Sequence, residues 1–223
     1  VDYMLGILHD PWGRYHMGVT AENVAERFGI GRDDQDALAA ESHRRAARAI
    51  AEGYFAEQIV PVEIKSRKGT VVFDTDEHVR KDAKPEDFSK LRPAFKKDGS
   101  VTAGNASGIN DAGAAVVLME AGAAAKAGAR PLARLVAYAH AGDEPHIMGE
   151  GPIPAVQKVF QKAGLKPADM DVVESNEAFA VQAMTVTRGL GLDPARVNPN
   201  GGAVALGHPI GATGAILIGT LLD

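Results

Sequence analysis

The sequence predicts a layered α/β fold, and three observations carry that expectation. After residue 100, apolar runs suited to strands alternate with helical stretches, the pattern of crossover units. Charge and glycine are unevenly divided: residues 1–100 hold 18 acids, 16 bases and 8 glycines, residues 101–223 hold 11, 8 and 17. A charged, solvated first part therefore precedes an apolar, Gly-rich part suited to a buried core. At 223 residues the chain can bury most of its apolar surface without cross-links, in one large or two modest domains.

The elements follow in order. Thr20 is placed to cap a helix through Val24 and Phe28, stopped by Gly29-Ile30-Gly31. Asp33 is placed to cap the next, with Leu38, Ala46, Ala47 and Ile50 as its apolar stripe and Gly53 as its stop. Glu41, Arg44, Arg45 and Arg48 read as its solvated face. Residues 59–64 and 70–73 flank Ser66-Arg67-Lys68-Gly69 and predict a hairpin, Pro61 marking an edge strand. Residues 76–100 read as an excursion loop with one short helical turn. Strands are predicted at 114–119, 132–139 and 170–174, and helices at 121–127, 154–163 and 178–188. Residues 214–222 are apolar all round and predict a buried helix. Such a crossover helix normally feeds another strand, so further strands are expected beyond Asp223.

Composition excludes several classes. With no Cys there is no disulfide framework, no Cys-based zinc site and no thiol nucleophile within the chain. A formal charge of −5 argues against a nucleic-acid partner. No apolar run reaches the length of a membrane span. Val1-Asp2-Tyr3-Met4-Leu5 carries no basic leader pattern, and a cytoplasmic location is expected, with any segment upstream of Val1 outside view. The pairs Gly29-x-Gly31, Gly149-x-Gly151 and Gly189-x-Gly191 each lack the third glycine of a dinucleotide fingerprint and read as turns. Ser107 lies in Gly104-Asn105-Ala106-Ser107-Gly108, the wrong spacing for a nucleophile elbow. His140 and His146 do not read as metal ligands, and no metal site is expected.

Two segments stand apart. One is Ser175-Asn176-Glu177-Ala178-Phe179, directly after the predicted strand at 170–174. The other is Asn198-Pro199-Asn200-Gly201-Gly202-Ala203-Val204-Ala205-Leu206-Gly207-His208-Pro209-Ile210-Gly211-Ala212-Thr213-Gly214. Each places a polar side chain at the end of an apolar element and before a helix, where open α/β sheets hold ligands. An imidazole (His208) and an amide (Asn176) converging on one point can stabilise an oxyanion. Taken singly, His208 also reads as a hydrogen-bonded structural His and Asn176 as a helix N-cap. Composition and spacing leave both readings open.

The second segment fits the thiolase signature N-x-x-G-G-x-[aliphatic]-[small]-x-G-H-P-x-G-x-[ST]-G at every specified position, and the first matches the thiolase NEAF motif. Gly13-Arg14-Tyr15-His16-Met17-Gly18, the stretch from Gln35-Asp36-Ala37 to Glu41-Ser42-His43, Leu91-Arg92-Pro93-Ala94-Phe95 and Thr102-Ala103-Gly104-Asn105-Ala106-Ser107 also resemble that family. The chain thus resembles a thiolase along essentially its whole length, most nearly the biosynthetic, acetoacetyl-CoA-forming branch. The resemblance implies a layered α-β-α-β-α fold. It divides the chain into a CoA-binding loop domain (1–109), a return into the N-terminal domain (110–130) and an incomplete C-terminal domain (131–223).

The resemblance also implies roles. Asn176, through a water, and His208 Nε2 would stabilise the thioester oxygen as it becomes an enolate, and His208 would help activate a nucleophilic Cys. Leu8, His16, Met17, Arg80, Leu91, Ala94, Phe95, Ala103, Ser107, Met148, Ala178 and Phe179 would surround CoA. Apolar members wall the pantetheine and adenine, and Arg80 meets phosphate charge. Each apolar member read alone is a core residue, and Arg80 a surface charge. The partners implied are acetyl-CoA, acetoacetyl-CoA and CoA, with no cofactor because the thioester is the substrate, and a dimeric or tetrameric complete enzyme.

The departures are specific. The family's two catalytic Cys are absent, and its pattern places one before Val1 and the other after Asp223. Asp87 stands where the family often has a small polar residue near the adenine. The expected function is therefore that of an acetyl-CoA C-acetyltransferase in the parent protein, with the chain inactive alone. The alternative is a non-catalytic acyl-CoA-binding module. A ketoacyl-synthase-type condensing enzyme is a weaker third reading, disfavoured by the order of the motifs and the loop insertion before them.

Overall fold

A computed structural model describes residues 2–223. The first half holds α1 (Tyr3–Ile7), α2 (Met17–Phe28), α3 (Arg32–Glu52), the hairpin β1 (Val62–Ser66) and β2 (Gly69–Phe73), and α4 (Pro85–Ser89). The second holds α5 (Ala121–Lys126), a 3-10 turn (Pro145–Glu150), α6 (Pro152–Ala163), a second 3-10 turn (Pro167–Asp169), α7 (Ala180–Gly189), α8 (Ala203–Leu206) and α9 (Thr213–Leu222).

Two expected caps are corrected. α2 starts at Met17 because the His16 ring nitrogen accepts the Gly18 amide at 2.9 Å, and Thr20 lies buried within the helix, donating to Met17 O. α3 starts at Arg32 after Gly31, so Asp33 falls in its first turn, where its charge still favours the helix N-terminus. The hairpin is present with a two-residue turn, Val62 pairing with Phe73 and Ser66 with Gly69.

The predicted strands at 114–119 and 132–139 do not form. Both segments have exposed apolar side chains, with Val117 90% and Leu118 78% accessible. A strand's ladder hydrogen bonds need a neighbouring strand. Among the described residues none lies beside these segments. The strand expected at 170–174 shrinks to one parallel bridge, Val173 with Val197. α9 also departs from expectation: of its residues only Thr213 is buried, because no described layer covers its apolar surface.

The packing that matters for the site is helical. The start of α7 is held between α2 and α3. On one side Val181 packs with Ala21, Val24 and Ala25 of α2, joined by Val101 and Ile147. On the other, Ala180 packs with Ala39 and Ala40 of α3, Phe88 and Val204. About two helical turns along α3, Ala46 meets Ala205 and Val79. α3 thus carries both the N-terminus of α7, which follows the first signature segment, and the short helix α8, which lies within the second. Its charged face is not merely solvated: Arg45 donates to Val197 O at 2.6 Å and Arg48 to Pro199 O at 2.8 Å, gripping the turn that leads to α8.

Candidate active site

The two signature segments lie side by side because the chain hydrogen-bonds across at Val173. Val173 N–H donates to Arg196 O, and Asn198 N–H to Val173 O, both at 2.9 Å. Beyond this bridge the first segment runs through Asn176 to α7, whose N-cap position is Phe179. Asn176 is four residues before the helix, so it is not a helix cap. The second segment turns through Gly201 and Gly202 into α8 and emerges at His208. Gly201 has a φ of +86°, and a Cβ there would lie 2.7 Å from the Ser42 carbonyl oxygen. Glycine is what lets this turn lie flat on α3.

Asn176 Nδ2 stands 3.4 Å from His208 Nε2. The side-chain oxygen of Asn176 is buried and has no hydrogen-bond partner, so one polar atom at this point is unsatisfied. The far side of the His208 ring is fixed. Thr213 donates its hydroxyl proton to Pro209 O at 2.9 Å, and the same oxygen lies 2.7 Å from His208 Nδ1. The oxygen must then accept from Nδ1–H. Burial holds the His208 pKa below the ordinary imidazole value, favouring the neutral ring. In that tautomer Nε2 carries a lone pair facing Asn176. The His208 amide donates to Gly108 O at 3.1 Å, tying the loop to the first half of the chain.

Of the twelve residues singled out around this point, none is fully buried, although Phe95 and Phe179 pack against the core formed by Val24, Val101, Ile147 and Val181. Several are brought together. His16 stacks on Phe95, with ring centroids 4.8 Å apart, and Phe95 meets Phe179 edge-on at 6.2 Å. Met17 N–H donates to Leu8 O. Ser107 donates to Ala178 O from both its amide (3.1 Å) and its hydroxyl (2.9 Å). Ala94 lies in the pairing of 93–94 with 101–102. Met148 is in the 3-10 turn that packs on α2 and α7. A second group lies farther along the loop region. Arg80 sits 5.9 Å over the Phe88 ring, and Leu91 packs against Gly104, next to Ala103. Arg80, Lys81, Asp82, Asp87 and Phe88 line an open surface pocket there.

Four residues outside that set shape the site. His43 accepts the Arg80 amide at 3.1 Å, and burial, Arg80 and His78 together push its pKa down to about 4. Ser42 bonds to the first segment at Glu177, and within the second segment Asn198 also reaches Glu177 while Thr213 holds His208. Thr213 could have been found in the sequence, since a position five residues after His208 is specified in the signature. Ser42 lies in the family-like stretch ending Glu41-Ser42-His43, but nothing in that stretch assigns its hydroxyl to Glu177. Among the described residues no three His, Asp or Glu gather as metal ligands, and no helix is long and apolar enough to cross a membrane.

An imidazole and an amide meet at the junction of two loop-to-helix turns, beside an aromatic-lined surface, and such a pair is able to stabilise an oxyanion. The comparisons make the assignment specific. The family model for the N-terminal domain of thiolase matches residues 1–122, and that for the C-terminal domain residues 129–223. The chain belongs to the thiolase family. It is 63% identical over 218 residues to the beta-ketothiolase BktB of Cupriavidus necator, covering 97% of this chain and 55% of that one. It is 56% identical over 208 residues to the acetyl-CoA acetyltransferase of Escherichia coli, covering 93% and 53%. The crystal structure of Bacillus anthracis acetyl-CoA acetyltransferase superposes with a TM-score of 0.96 at 50% identity, covering 99% of this chain and 56% of that one. Human mitochondrial 3-ketoacyl-CoA thiolase in complex with CoA superposes at 0.90 and 42% identity, covering 99% and 55%. The chain therefore has the thiolase fold over the part of it that it covers, and it spans about half the length of the curated relatives it matches.

Proposed function

We propose that the chain is the part of an acetyl-CoA C-acetyltransferase that holds a CoA thioester and supplies the group that stabilises its enolate. The observation that carries this is the 3.4 Å approach of Asn176 and His208, with an unsatisfied amide oxygen beside it. Neutral His208, its Nε2 lone pair met only by the long Asn176 Nδ2 contact, can take the proton of a thiol. Once protonated it presents Nε2–H, the donor that a thioester oxygen needs as negative charge develops. Asn176 Nδ2 supplies a second donor, directly or through one water. Substrates are acetyl-CoA, acetoacetyl-CoA and CoA, with no separate cofactor. His16, Phe95, Phe179, Met17, Leu8 and Met148 would wall the pantetheine, and Arg80 with its pocket would meet phosphate charge. The division into a loop domain (1–109), a return segment (110–130) and a C-terminal domain (131–223), a cytoplasmic location and a homo-oligomeric complete enzyme belong to the same reading.

The thiol is not in this chain, which has no Cys. That observation supports a second reading, in which residues 1–223 bind acyl-CoA without turnover. One experiment separates the two: isolate from source cells the polypeptide that carries these residues and assay acetoacetyl-CoA thiolysis. A Cys-containing polypeptide of about 400 residues, the length implied by 218 residues being 55% of the Cupriavidus relative, should be active. A polypeptide of 223 residues that binds acetyl-CoA without thiolysis would establish the binding module instead.

A further inference from the structure

Glu177 follows Asn176 directly and is 5% exposed, yet among the described residues no Arg or Lys bonds to its carboxylate. Its partners are neutral donors from three places. Oε2 accepts from Ser42 Oγ on α3 at 2.7 Å and from the Val204 amide on α8 at 3.2 Å, and Oε1 accepts from Asn198 Nδ2 at 3.0 Å. Ser42 Oγ in turn accepts the Gly202 amide at 3.0 Å. Asn198 clasps the residue before Asn176, accepting from Ser175 N–H and donating to Ser175 O, both at 2.7 Å. Gly202 leaves no room for a side chain, because a Cβ there would strike the Glu177 carboxyl.

Burying a carboxylate is costly, and a packed apolar side chain would hold these segments together more cheaply. What an apolar residue cannot do is fix direction. A carboxylate with three donors admits one arrangement of the segment bearing Asn176, of α3 and of the turn that ends in His208. Resting on the functional reading above, we propose that Glu177 is a positioning residue. Without touching substrate, it sets the spacing between Asn176 and His208 through Ser42, Asn198 and Val204.

The test uses the full-length polypeptide that carries this chain, with Glu177→Gln and, as a milder change, Ser42→Ala. Gln keeps the shape, but its amide nitrogen cannot accept from Ser42 or Val204. The expected result for Glu177→Gln is a fall in kcat of about 10- to 100-fold with KM for acetoacetyl-CoA within about twofold, since small misplacement of reacting groups is that costly. Ser42→Ala should show a smaller loss with the same split, and it decides the matter if Glu177→Gln does not fold. A second readout needs no turnover: the ring-nitrogen NMR shifts of His208 should move in both variants. A folded variant with unchanged kcat and unchanged His208 shifts would overturn the proposal, as would a rise in KM at constant kcat. An inactive wild type in which these substitutions still move the His208 shifts would sink the thiolase reading and leave the positioning role standing.

Discussion

Asn176 and His208 are 32 residues apart in sequence, and their side-chain nitrogens approach to 3.4 Å. Neither helix propensity nor local turn chemistry produces that approach. It follows from a single parallel bridge at Val173, from α3 supporting both flanking helices, and from Thr213 holding the imidazole from behind. The predictions below test separate parts of this arrangement, those on rate in the thiolysis-competent polypeptide.

His208→Ala should cost more than Asn176→Ala. His208 serves both thiol and thioester oxygen, whereas Asn176 acts on the oxygen alone or through a water. Loss of one oxyanion donor costs about 10²–10³ in rate. Asn176→Ala should fall at or below that range and His208→Ala beyond it, read as kcat in thiolysis. The reverse order would mean the roles are misassigned.

Thr213→Val removes the acceptor for His208 Nδ1–H while keeping the side-chain shape. With the tautomer no longer held, kcat should fall on the order of 10-fold. Burial keeps the His208 pKa below the ordinary imidazole value, so the acid limb of kcat/KM should lie below that value in the parent. Thr213→Ser should restore most of the rate. Equal rates for Val and Ser would show that the hydroxyl does not set the tautomer.

Glu174 gives a stability prediction with a definite sign. Burial, and secondarily Glu177, raise its pKa from 4.5 to about 7. The folded state therefore holds this proton where the unfolded state has lost it. Stability from this group is present in full below about pH 4.5 and is lost as pH rises to about 7. After allowance for its partial exposure the effect is roughly 1–2 kcal/mol. Glu174→Gln should flatten that decline in urea denaturation. His43 works in the opposite direction: its lowered pKa, about 4, adds stability as pH rises from about 4 to 6.5. The decline should consequently be clearest between pH 6.5 and 7. A wild type and Glu174→Gln variant with parallel pH curves would refute the assignment.

Gly202→Ala should destabilise by about 1–3 kcal/mol, because the new methyl would strike a carboxyl already fixed by three donors. Gly211→Ala, three residues past His208, meets nothing within 4 Å and should stay within about 0.5 kcal/mol. Comparable losses at both positions, measured by urea unfolding, would show that the turn tolerates no substitution for reasons unrelated to Glu177.

Much of the architecture was legible in the sequence because it is local. The Gly29 and Gly53 stops, the hairpin about Arg67-Lys68 and the helices at 154–163 and 178–188 follow from caps, turns and apolar spacing, and each forms within a few residues of its expected place. The misses are of two kinds. Runs such as Val116-Val117-Leu118-Met119 read as strands, but strand formation depends on a neighbour that no local pattern specifies, and the described residues provide none there. Arg45 and Arg48 read as solvated charges, yet they bind carbonyls about 150 residues away. For the site, Asn176 and His208 were visible through their motifs. Ser42 stood in a family-like stretch, but its role was not visible, because that role lies in meeting Glu177, a contact 135 residues distant.

The most direct measurement of the central reading is the structure of the full-length polypeptide that carries this chain, bound to acetyl-CoA. The thioester oxygen should lie roughly 3 Å from His208 Nε2 and reach Asn176 directly or through one water. The pantetheine should pass Met148 and Phe179, and the phosphates should turn toward Arg80. A thioester seated away from both side chains, or CoA bound on a face remote from Phe95, Ser107 and Phe179, would contradict it.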